Sequence, residues 1–129
     1  MARLDYPALP MRRLWPLFAA LLVTNACAAA RSSLAPLVTP AGVRFVLEQP
    51  DAHSVAVAGT FNGWSPSSHT LRLDGAPKRW TLVVALPPGE YMFMYVVDGA
   101  WLTPPDADDY VEDGFGARNG LVVVPPAER

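Results

Sequence analysis

Between Gly42 and Val124, apolar residues recur at every second position in short runs, and turn-forming clusters stop each run. Val43, Phe45 and Leu47 fall on one side before Glu48-Gln49-Pro50-Asp51, and Val55 and Val57 lead into Gly59. Leu71 and Leu73 alternate with Arg72 before Asp74-Gly75, and Trp80, Leu82, Val84 and Leu86 precede Pro87-Pro88-Gly89. Tyr91, Phe93, Tyr95 and Val97 share a side, with Met92, Met94 and Val96 on the other; Leu121–Val124 ends at Pro125-Pro126. A period of two puts alternate side chains on opposite faces of an extended chain, so each run has one face to bury. About six or seven such runs at this spacing predict an all-β antiparallel sandwich. No sustained helical period competes, and the 14 prolines disfavour long helices. The 129 residues, 51% of them hydrophobic, suffice for one packed domain.

The composition narrows the chemistry. A formal net charge of −2 gives no electrostatic basis for nucleic-acid binding. A single cysteine allows neither an intrachain disulfide nor a cysteine-based zinc site. His53 and His69 lack metal-ligand spacing and read as loop residues, so no metal or cofactor is expected. Carboxylates gather at Asp98, Asp106, Asp108, Asp109, Glu112 and Asp113, and a pair of carboxylates is the equipment of a glycosidase. Here they sit in a Pro- and Gly-flanked stretch with nothing apolar nearby to raise one pKa, which reads as a solvated acidic loop. Nucleophile-elbow, zinc-protease, P-loop and EF-hand patterns are all missing from the sequence. The expectation is a binding module, not an enzyme.

Residues 1–30 read as a targeting segment outside the fold. Arg12-Arg13 precede the apolar run Leu14–Val23, which at about ten residues matches a signal-peptide core and falls short of the ~18 a membrane span needs. Ala26-Cys27-Ala28-Ala29-Ala30 offers Ala-x-Ala cleavage patterns, and the segment is more regular if translation starts at Met11. Three outcomes stay open: cleavage, lipidation of Cys27 as in a bacterial lipoprotein, or an uncleaved anchor. Each places the protein in an exported compartment, the periplasm or cell envelope. Residues 31–40 read as an aperiodic linker, 41–125 as the domain and 126–129 as a tail.

Two stretches of the domain point to function. Gly59-Thr60-Phe61-Asn62-Gly63-Trp64 and Val97-Asp98-Gly99-Ala100-Trp101 each run a strand into a polar turn followed by tryptophan. Asn-Gly and Asp-Gly tolerate the positive φ of tight turns. Pattern alone leaves two roles open for Trp64 and Trp101, capping the core or forming an exposed aromatic platform, whereas Trp80 alternates with core residues. An indole offers a broad apolar face matching the C–H face of a pyranose ring. Covering ~60–80 Å² of that face contributes about 2 kcal/mol per tryptophan, enough for micromolar-to-millimolar binding after ordering costs.

The run Val55–Trp64 resembles the G-x-F-N-x-W signature of family 48 carbohydrate-binding modules, which include the glycogen-binding domain of AMP-activated protein kinase β subunits and the early-set domains of isoamylases and branching enzymes. Leu86–Tyr91 with Tyr95–Trp101, and Asp113–Val124 with Asn119, are similar to two further motifs of that family in the same order. The resemblance covers roughly Ala41 to Val124. It implies an immunoglobulin-like (early-set) sandwich that binds α-1,4-glucans such as glycogen or starch. It further implies that Trp64 and Trp101 stack on glucose rings, that Asn119 hydrogen-bonds sugar, and that Phe115 inserts beside the bound chain. Two positions depart: Met94 stands where the family has a sugar-contacting lysine, and Ala117 where it has a threonine. The stacking platform is retained while part of the polar frame is lost, so the resemblance implies weakened or altered glucan recognition. Export adds a second departure, because glycogen is cytoplasmic. The alternative expectation is an Ig-like protein-interaction domain that uses the same aromatic patch on an envelope protein partner.

Overall fold

A computed structural model describes residues 34–75 and 78–127. The signal-like segment, including Cys27, lies outside the described residues. Nine strands form among them: β1 (Leu37–Thr39), β2 (Gly42–Leu47), β3 (Val55–Gly59), β4 (Arg72–Asp74), β5 (Arg79–Val84), β6 (Gly89–Val97), β7 (Ala100–Leu102), β8 (Asp109–Glu112) and β9 (Arg118–Val124). One antiparallel sheet has the order β1-β2-β5-β4; the other runs β3-β6-β9-β8, with β7 added to β6.

The inward faces are the ones the alternation marks. Val43, Phe45 and Leu47 of β2 with Trp80 and Val84 of β5 meet Val55 and Val57 of β3, Phe93 and Tyr95 of β6, and Val122 and Val124 of β9. A chain of ring contacts runs through the core: Phe61, in the turn after β3, meets Phe45 at 5.8 Å, Phe45 crosses to Phe93 of the other sheet at 5.1 Å, and Phe93 meets Tyr95 along β6 at 5.6 Å. Tyr95 is fully buried, and its hydroxyl donates to the Val46 carbonyl of the opposite sheet at 3.2 Å. That bond supplies the partner a buried phenol requires, and burial drives its pKa well above the ordinary phenol value. Trp80 is core, as expected, and its indole N–H donates to the Gln49 carbonyl at 2.9 Å.

Three strands differ from the sequence expectation. β1 lies inside the stretch read as linker: it pairs with β2 from Leu37↔Arg44 to Thr39↔Gly42, next to buried Ala35 and Pro36. β8 lies inside the stretch read as a solvated acidic loop, because Asp109–Glu112 zips antiparallel onto β9. β7 turns back on β6 after Asp98-Gly99, so Trp101 sits on a short strand and not on a loop.

Candidate functional site

Pleating decides which residues can share the outer face of the five-stranded sheet. Phe93 and Tyr95 point into the core, so Met92, Met94 and Val96 point out. Partners opposite one another in a ladder share a face. Ala56 opposite Val96 and Ala58 opposite Met94 therefore join the outer face, as does Trp101 opposite Val96. On β9, Gly120 and Val122 are buried, which turns Asn119 and Leu121 outward; Leu121 stands opposite Met92 and Asn119 opposite Val111.

Trp64 reaches this face by a different route. After β3 the chain makes one 3₁₀ turn, Thr60–Asn62, and then passes through left-handed Gly63 (φ 64°) and Trp64 (φ 60°). This is not the two-residue hairpin turn that Asn-Gly suggests. The Trp64 N–H donates to the Gly59 carbonyl at 2.9 Å, and the half-buried indole packs on Ala56, Ala58 and Val96. Small residues at 56 and 58 make room for an indole against the sheet.

Asn62 holds this turn together, a role the sequence does not disclose. Its Oδ1 accepts from the Gly59 N–H (3.0 Å) and the Ser65 N–H (3.2 Å), and its Nδ2 donates to the Val57 carbonyl (3.1 Å). Those three bonds fix the orientation of the amide, so Nδ2 also donates to His69 Nδ1 at 2.9 Å. Phe61 turns inward against Phe45, with His69 edge-on at 5.4 Å.

Trp101 is set by the β6–β7 hairpin. Asp98 (φ 48°) and Gly99 (φ 84°) are both left-handed, the two-residue turn expected of Asp-Gly. Asp98 also ties the hairpin to the start of β3: its Oδ1 accepts from the backbone N–H groups of Ser54 and His53, each at 2.8 Å. The Ser54 N–H is the main reason its carboxyl lies below the usual carboxylate range; desolvation opposes it, and His53 adds to it. Trp101 is 49% exposed. Neither the Trp64 nor the Trp101 indole N–H bonds a described residue, and no buried polar side-chain atom is left unpaired, so both open to solvent.

Asn119 and Phe115 occupy the β8–β9 hairpin. The Asn119 amide is half-buried and makes no hydrogen bond to another described residue. Phe115 stands at the hairpin tip and is 94% exposed. Asp113 shapes that tip, accepting from the Phe115 N–H (2.7 Å) and the Ala117 N–H (3.1 Å), while Gly114 and Gly116 supply positive φ. Trp64, Trp101, Met94 and Asn119 thus lie on one sheet face, with Phe115 on the loop between β8 and β9. Among the described residues no three His, Cys, Asp or Glu side chains gather to hold a metal.

A family profile described as "Glycogen recognition site of AMP-activated protein kinase" matches residues 42–129, from the first residue of β2 through the end of the chain. The chain belongs to this family. It is a family of glycogen-binding, family 48 carbohydrate-binding modules, and the module itself is not catalytic. Curated relatives agree. The chain is 42% identical over 60 residues to a 1,4-alpha-glucan branching enzyme of Pseudomonas syringae pv. tomato, a match covering 46% of this chain and 8% of that enzyme. It is 35% identical over 94 residues to the branching enzyme of Nitrosospira multiformis, covering 67% of this chain and 13% of the enzyme. The Bordetella pertussis enzyme is 48% identical over 42 residues, covering 33% and 6%. The chain therefore spans only a small part of the length of these relatives.

Proposed function

We propose that the chain is a non-catalytic module that binds α-1,4-glucan on the outer face of its five-stranded sheet. In this reading Trp64 and Trp101 stack on successive glucosyl rings, Asn119 hydrogen-bonds a sugar hydroxyl, and Phe115 packs beside the chain. The observation that carries it is the convergence of two indoles on one sheet face of a glycogen-recognition family member, with Val96 beneath the first and opposite the second. Met94 and Ala117 bring no hydrogen-bonding side chain, so stacking supplies most of the affinity. The immunoglobulin-like, early-set arrangement belongs to the same reading. Export through residues 1–30, with cleavage or lipidation at Cys27, is a separate part of it. N-terminal sequencing and lipid labelling of the protein recovered from cell fractions test that part.

The binding claim is tested by affinity electrophoresis of the full chain through gels with and without glycogen or amylopectin, beside Trp64→Ala and Trp101→Ala. Retardation of the wild type that both folded variants lose is the expected outcome. A folded wild type that glycogen and amylopectin do not retard refutes the proposal, and the aromatic face would then be sought as a protein-binding surface.

A further inference from the structure

Beside Trp101 the outer face sinks into a depression of about 430 Å³, lined by Trp101, Val96 and Ala56 on the sheet and by Pro66, Ser67 and Thr70 on the returning chain. This lies within the range of small-ligand clefts, about 300–1,000 Å³. Two of its lining residues, Ala56 and Val96, also carry Trp64, so it is continuous with the tryptophan pair. The rim is built on fixed backbone. His69 and Leu71 bond β3 on either side of Thr70, through Val57 N–H to the His69 carbonyl (3.0 Å) and Leu71 N–H to the Val55 carbonyl (2.8 Å). Thr70 stands opposite Ala56 and so presents its side chain to the outer face, while Leu71 goes to the core. The Ser67 and Thr70 hydroxyls are exposed and make no hydrogen bond to another described residue.

We propose that this depression is an additional glucosyl subsite, in which Ser67 and Thr70 supply the hydroxyl contacts that Met94 and Ala117 do not. The inference rests on the glucan-binding reading above. A hydroxyl both donates and accepts, which suits the secondary hydroxyls rimming a pyranose whose C–H face lies on an indole. The sequence shows no sign of it, because Thr70 reaches the face only through its register with Ala56.

The test is calorimetric titration of the full chain and of Ser67→Ala/Thr70→Val with maltotriose and maltoheptaose. Both positions are exposed, and Thr70→Val keeps the β-branch, so an unchanged thermal melt verifies the fold. Losing two hydrogen bonds should lower maltoheptaose affinity about 5- to 30-fold and maltotriose affinity much less. Unchanged maltoheptaose affinity, or an equal loss on both ligands, overturns the subsite while leaving the tryptophan platform intact. A wild type that binds neither oligosaccharide overturns the platform and this subsite together.

Discussion

Replacing Asn62 with alanine tests why this turn carries an asparagine. The side chain satisfies the Gly59 N–H, the Ser65 N–H and the Val57 carbonyl, and it positions His69. At about 1 kcal/mol net for each of the three backbone bonds, in a half-buried site, the loss is about 2–4 kcal/mol. For a domain of this size that lowers Tm by about 10–25 °C. Urea unfolding followed by tryptophan fluorescence reads the change as a lower midpoint with an unchanged slope. Asn62→Asp sharpens the test, because it preserves shape and both accepted bonds but sets an oxygen against the Val57 carbonyl. It should also destabilise, although it is isosteric. The same geometry makes His69 Nδ1 an acceptor, so nitrogen NMR should find the proton of the neutral ring on Nε2. An Asn62→Ala variant within about 0.5 kcal/mol of wild type, the range of ordinary surface substitutions, would refute this account of the turn.

Three further outcomes follow from the geometry. Because the folded Asp98 carboxyl is held below its ordinary value, its contribution is present above the unfolded carboxylate pKa of about 3.9 and is lost as pH falls through the lower folded value. Asp98→Asn should therefore be less stable than wild type near neutrality, with the gap closing in acid melts below about pH 4. Gly120→Ala should destabilise by about 1–3 kcal/mol in urea melts, since its Cβ would lie 2.7 Å from Cε1 of the buried Phe93 ring and 3.0 Å from Pro104 Cγ. Trp101→Ala should lower glucan affinity about 10- to 30-fold while leaving Tm nearly unchanged, whereas Trp64→Ala should lower both, because Trp64 covers Ala56, Ala58 and Val96.

The strands legible in the sequence were those long enough to show a period. Gly42–Leu47, Val55–Gly59 and Gly89–Val97 each repeat an inward residue at least twice, and their inward sets are the observed core. Leu37–Thr39 and Ala100–Leu102 are three residues each, too short for a period to appear. Asp109–Glu112 has acids at both ends and only Tyr110 turned inward, so its pairing with β9 outweighs its polar composition. At the candidate site, turn chemistry and motif spacing mark Trp64, Trp101 and Asn119 as candidates. Asn62 is marked by the same turn and motif, but the bonds that its side chain makes are not, and Thr70 is not marked at all. Both depend on contacts that only the folded chain makes, Asn62 with the Gly59, Ser65 and Val57 backbone and with His69, and Thr70 with Ala56 across an isolated bridge. Val96 reads as the exposed side of an alternating strand yet is buried, because Trp64 folds back over it.

The most direct measurement is an indole N–H titration of the ¹⁵N-labelled full chain with maltoheptaose. Trp64 and Trp101 should shift together and saturate at one ligand concentration, while Trp80, bonded to the Gln49 carbonyl in the core, stays in place. Saturating ligand that moves neither Trp64 nor Trp101, or moves them no more than Trp80, would contradict a glucan-binding face built on this pair.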